Sequence, residues 1–118
     1  MGVLVLDHVQ RMNLHALIGA QRANVDDMRM FWRVQDRIEL SPDEKQAIGY
    51  QVRSVDGHSQ IGWDASRTLP AKEFEFGGDE FKKLRDLVLQ WQPGYMIAAD
   101  RTWLEPLLGQ LENGSAAK

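Results

Sequence analysis

Apolar side chains recur every three or four residues along several stretches of this chain and every second residue along three others. Met28, Phe31, Val34 and Ile38 hold helical spacing, with Trp32 at the edge of the same face, which predicts a helix over 25–38. Asn24 is a suitable N-cap, and Asp26 and Asp27 place negative charge in the first turn, where the helix dipole favours it. An earlier helix over 8–19 is capped by Asp7 and ends at Gly19. Val9, Met12 and Ala16 mark one face of it, and Leu14, Leu17 and Ile18 widen the stripe. Ser41-Pro42-Asp43-Glu44 starts a short third helix over 42–48. It supplies an N-cap serine, a proline at the first helical position and a glutamate spaced to close a capping box. Phe81, Leu84, Leu87, Val88 and Trp91 define a fourth helix, opened by Asp79 and Glu80 and stopped at Pro93-Gly94. A final apolar face comprises Leu104, Leu107, Leu108 and Leu111. Because Pro106 removes a hydrogen bond from a helix interior, this helix is expected to start near Pro106 or to be capped just before it, by Thr102 and Glu105. Tyr95 to Ala99 reads as a helical turn or two.

Between the third and fourth helices the period falls to two. Tyr50 to Ser54 and Ser59 to Trp63 alternate around Asp56-Gly57, a two-residue hairpin turn. That turn sets Val55 opposite His58, Val52 opposite Ile61 and Tyr50 opposite Trp63, which predicts one apolar side and a wet side bearing Gln51, Arg53, His58 and Gln60. Lys72 to Phe76 alternates as well, with Phe74 and Phe76 on one face, and is expected to lie as a third strand beside the hairpin. The apolar arm over residues 1–6 is expected to dock on the body or on another copy. The predicted fold class is α+β: a small antiparallel sheet, made of a hairpin over 50–63 and a strand over 72–76, covered by four to five helices. Residues 1–112 make a single domain, and 113–118 a polar, flexible tail.

Composition narrows the function classes. With 14 basic and 17 acidic side chains dispersed along 118 residues, the net charge of −3 gives no electrostatic reason to expect binding to nucleic acid or to an anionic membrane. The absence of cysteine excludes disulfides, zinc thiolates, iron–sulfur clusters and thiol nucleophiles. No stretch approaches the ~20 apolar residues that cross a bilayer, and Val3 to Leu6 lacks the basic flank of a signal peptide. A soluble protein in the cytoplasm is the expectation.

No chemical constellation stands out. His8 and His15 are seven residues apart, not the three or four of helical metal ligands, and read as surface or boundary residues, with His58 exposed beside the turn. The acidic pairs Asp26/Asp27, Asp43/Glu44 and Asp79/Glu80 sit at helix starts, where they stabilise the fold. Gly77-Gly78 has the strand-to-helix geometry of a phosphate site, but the acidic residues that follow repel a phosphate. A DNA-binding helix-turn-helix over the first two helices would carry a recognition helix in which Asp26, Asp27, Asp36 and Glu39 offset Arg29, Arg33 and Arg37. No cofactor, metal or catalytic residue is therefore assigned. Four tryptophans remain, and the plain expectation is that they fill the core. The alternative is an exposed anchor for another protein, with Trp32, Trp91, Tyr95 and Trp103 as its candidate residues.

The helix around Leu14-His15-Ala16-Leu17, then Leu40-Ser41-Pro42-Asp43-Glu44, the hairpin ending in Trp63 and Phe74-Glu75-Phe76 before a charged amphipathic helix together resemble small uncharacterised proteins of bacteriophage and prophage genomes. The resemblance spans residues 12–111 and lies in spacing and capping boxes. It implies a viral or prophage setting in a bacterial host and supplies no catalytic residues. The leading expectation is a non-enzymatic interaction protein, self-assembling or binding a host protein, with no small-molecule ligand. The alternatives are a small DNA-binding regulator using the N-terminal helix pair, which would need its basic side chains gathered on one face, and a small enzyme, which would need a pocket where His15 or a carboxylate meets a polar partner.

Overall fold

In the computed structural model, residues 2–64, 66–91 and 94–113 are described. The elements run β1 (Gly2–Leu6), α1 (His8–Gly19), α2 (Val25–Ile38), α3 (Pro42–Ala47), β2 (Gln51–Val55), β3 (His58–Gly62), β4 (Lys72–Phe76), α4 (Gly78–Leu89) and α5 (Arg101–Asn113). The α+β class holds. The tail predicted over 113–118 lies outside the described residues except for Asn113, the last residue of α5, and Pro93 lies outside them too.

The caps form where local chemistry dictates. Asp7 and Gln10 close a capping box on α1, Asn24 accepts from the Asp27 N–H, and Ser41 and Glu44 close the box on α3. On α4 the N-cap Gly77 has no side chain, so the Glu80 carboxylate alone reaches back to its N–H, at 2.9 Å. Asp56 and Gly57 take φ of 51° and 80°, the left-handed pair of a type I′ hairpin turn.

The strands form two sheets rather than one. β4 pairs antiparallel with β1, and β2 with β3, so the strand over 72–76 joins the N-terminal arm and not the hairpin. The physical reason is burial. Leu4, Leu6, Phe74 and Phe76 share one face of the β1–β4 ribbon and are all but fully buried under the helices, whereas the hairpin presents no such face to the core. Gly2 lies opposite Phe76, and the space over its Cα is filled by the Phe81 ring. Val52 and Val55 lie on opposite sides of the hairpin, because they are three positions apart on an alternating strand, and both are exposed.

The core joins Leu14, Leu17 and Ile18 of α1, Val34 and Ile38 of α2, and Phe81, Leu84 and Val88 of α4 with Trp103, Leu104, Leu107 and Leu111 of α5. On α2 the inward position is Met30, four residues before Val34, and Met28 faces outward. α5 begins five residues before Pro106 and carries it in its interior. Burying Trp103 and Leu104 ahead of the proline is worth about 1.5–3 kcal/mol for each side chain, enough to offset the roughly 3 kcal/mol that an interior proline costs.

Both outer edges of the β1–β4 ribbon are occupied by side chains. The Gln110 amide of α5 donates to the Val5 carbonyl at 2.8 Å and accepts the Val5 N–H at 2.6 Å, acting as a one-residue strand. On the far edge Arg37 donates to the Glu75 carbonyl at 2.8 Å while pairing with Glu80. Gln110→Ala is expected to cost about 1 kcal/mol in urea unfolding, the usual net value of such bonds. Gly2→Ala, which drives a methyl group into Phe81, is expected to cost about 1–3 kcal/mol, the range for overpacking.

Candidate functional site

The residue that organises the interior is one that periodicity does not reveal. Arg11 lies on the inward side of α1 and is only 2% exposed. A buried guanidinium must satisfy its donors, and this one does so with three partners of two kinds, two backbone carbonyls and a carboxylate. Nε donates to the Ile38 carbonyl at 2.9 Å and one terminal nitrogen donates to the Glu39 carbonyl at 2.9 Å, which satisfies carbonyls at the frayed end of α2. Both terminal nitrogens grip the Glu44 carboxylate at 2.6 and 3.0 Å. The guanidinium carbon also lies over the Phe74 ring, 5.2 Å from its centroid. Glu44 serves twice, since it also accepts the Ser41 N–H at 2.9 Å. The Arg11 hydrogen bonds hold its carboxyl down at about 2, below its ordinary 4.5, against an opposing contribution from burial and with help from Ser41.

Beside this clamp is a cavity of about 290 Å³. It is lined by Arg11, Met12, Asn13, His15 and Ala16 of α1, by Ile38, Glu39 and Leu40 at the end of α2, by Lys45 of α3, and by Tyr50 and Trp63, which flank the hairpin. Lys45 lies over the Tyr50 ring at 5.1 Å. The surface is mostly apolar, and its two cations already have partners: Arg11 is engaged by Glu44 and the α2 carbonyls, Lys45 by an aromatic face. His15 stands on the rim, half-buried.

His8, expected at a boundary, is buried with its ring edge-on to Trp63 at 6.5 Å. Its Nδ1 is enclosed without a hydrogen-bond partner. It faces inward because the apolar stripe of α1 is rotated from the predicted one: Gln10, Arg11, Leu14 and Leu17 are buried, and Ala16 is exposed. Among the described residues, no group of three or more histidines and acids is placed to hold a metal ion. No helix among them is long and apolar enough to cross a membrane.

The four aromatic residues singled out as an interaction site do not form a common exposed patch. Trp103 is in the core, its indole N–H donating to Asp100 at 3.0 Å, so it is not an exposed anchor. Tyr95 stands edge-on to Trp103 at 6.1 Å and donates to the Val88 carbonyl at 2.7 Å, and burial followed by the Asp100 charge pushes its phenol up to about 12. Trp91 is partly buried against the same cluster. Trp32 is the member of the set that turns outward, 52% exposed on α2. Of the four tryptophans, Trp103 and Trp91 follow the core-filling expectation, and Trp32 and Trp63 are exposed. Other exposed apolar side chains are dispersed: Val52 and Val55 on the hairpin with Trp63 at its base, Val25 and Met28 on α2, Leu89 at the end of α4, and Met96 and Ile97 ahead of α5.

Glu44→Gln is expected to lower stability at pH 7 by about 2 kcal/mol, because it weakens the pairing of a buried charge that keeps its carbonyl partners. The sign of the pH effect follows from the lowered carboxyl. The native contribution is complete above pH 4.5 and is lost as the pH falls toward 2. Urea melts across that interval should show a steeper acid loss in the parent than in the variant.

Compared with protein-family profiles, curated proteins and solved structures, the chain has no match.

Proposed function

We propose that this chain is a protein-binding module that works by contact, and that the β2–β3 hairpin is its binding element. The observation that carries the proposal is the hairpin's isolation. Every residue of β2 is exposed, no other element among the described residues packs extensively against the ribbon, and Val52 and Val55 turn their side chains to solvent. A lone two-stranded ribbon is marginal in water and gains stability from a third strand or a covering surface. Recognition by strand addition combines open backbone groups with side-chain contacts, and the hairpin supplies both. The resemblance to small phage and prophage proteins extends the proposal to a setting: an accessory protein in the cytoplasm of a bacterial host, acting on a copy of itself or on a host protein.

The test uses the full chain and the double variant Val52→Glu/Val55→Glu. Light scattering over a range of concentrations follows self-association, and capture from bacterial lysate follows foreign partners. Since both valines are exposed, the melting temperature is expected to stay within about 2 °C, the size of a surface change. Capture of a foreign partner is expected to fall at least about tenfold. A parent protein that neither associates nor captures a saturable partner would remove the proposal, as would capture indifferent to the double substitution.

A further inference from the structure

If the hairpin is the binding element, the character of its two edges narrows the choice of occupant. Resting on that reading, we propose that the occupant is a second copy of the chain, paired antiparallel and symmetrically through the outer edge of β3. The four strands would form one sheet in the order β2, β3, β3 of the second copy, β2 of the second copy.

The hydrogen-bond pattern chooses the groups available. A two-residue turn makes Val55 and His58 a hydrogen-bonded pair, so bonded and non-bonded pairs alternate away from it. Gln60 therefore directs its backbone groups inward to Arg53, and Ser59 and Ile61 direct theirs outward. Among the described residues, no side chain or loop takes up those outward groups. The two edges of the β1–β4 ribbon differ in that respect, since Gln110 occupies one and Arg37 the other.

Charge then separates the two edges of the hairpin. β3 reads His-Ser-Gln-Ile-Gly, with no lysine, arginine, acid or proline to discourage pairing. Folded on a two-fold axis at Gln60, it sets Ser59 of each copy opposite Ile61 of the other, so that outward groups meet outward groups. Gln60 meets Gln60, a neutral amide pair. The same operation on β2 centres on Arg53 and sets two guanidinium-bearing residues directly opposite, which is repulsive. Pairing through β3 also closes at two copies, because each contributes its one uncharged edge.

Gln60 falls at a non-hydrogen-bonded position, where opposed Cα atoms approach to about 4.5 Å, within the span of a disulfide. The chain has no cysteine of its own, so Gln60→Cys introduces a single reporter. Under mild oxidation Gln60→Cys is expected to yield a covalent dimer, and Arg53→Cys to remain a single chain. In sedimentation equilibrium the parent is expected to show a monomer–dimer equilibrium. Ser59→Pro, which removes only an outward N–H, should weaken it about tenfold or more, whereas Ser54→Pro on the β2 edge should leave it unchanged. Circular dichroism confirms that each variant is folded. A parent that is monomeric at every concentration would overturn the symmetric pairing, as would a dimer lost with Ser54→Pro and kept with Ser59→Pro, or an assembly larger than two. A monomer that still captured a foreign protein through Val52 and Val55 would leave the binding-module reading standing without the second copy.

Discussion

The buried Arg11 guanidinium is the interaction on which the arrangement of the helices depends. It comes from α1, closes the end of α2 by taking the Ile38 and Glu39 carbonyls, and holds the start of α3 through Glu44, while it lies over the Phe74 ring of β4. Four elements thus converge on one planar group whose donors have a fixed geometry. A lysine in its place would offer a point charge without the bidentate fork. Glu44 is in turn held by the Ser41 N–H, so the turn between α2 and α3 is tied both to itself and to α1. The cavity beside it shares Arg11, Ile38 and Glu39 with this clamp and is lined as well by Tyr50 and Trp63.

The two ribbons divide the tasks of a sheet between them. The β1–β4 pair buries one face and has both edges covered, and it belongs to the core. The β2–β3 pair leaves its faces and edges in solvent, and it belongs to the surface. Surface ion pairs such as Arg101–Glu105, which are worth little individually, do not alter that division. The proposed interaction uses the ribbon that the fold does not need for its own cohesion.

What could be read in the chain was local. Asp7, Asn24 and Ser41 announce their helices because capping involves only the next three residues, and Asp56-Gly57 announces the hairpin because the turn demands left-handed backbone at both positions. The hairpin register followed by counting. The partner of the strand over 72–76 was not legible, since pairing with residues 2–6 is decided by which apolar faces the helices can cover, not by nearness in the chain. Arg11 was missed for a related reason. A charged residue on an amphipathic helix reads as solvent-facing, and only its distant partners at Ile38, Glu39 and Glu44 make its burial tolerable. A carboxylate that closes a capping box keeps lone pairs the cap does not use, and on Glu44 those are the ones Arg11 takes. The aromatic residues were divisible only by structure, with Trp103 and Trp32 alike in sequence and opposite in exposure. Pro106 pointed to a late helix start, and the apolar residues ahead of it prevailed.

The Gln110 amide that completes the edge of β1 has a bearing on how the domain matures. During synthesis the arm at residues 2–6 emerges ahead of the helices, its strand partner some seventy residues later, and the side chain that seals its outer edge later still. Until Gln110 arrives, the arm is an apolar strand with one side open, the kind of segment that nascent chains expose to chaperones or to one another. Closure of that edge therefore waits on α5, the last element of the chain to emerge.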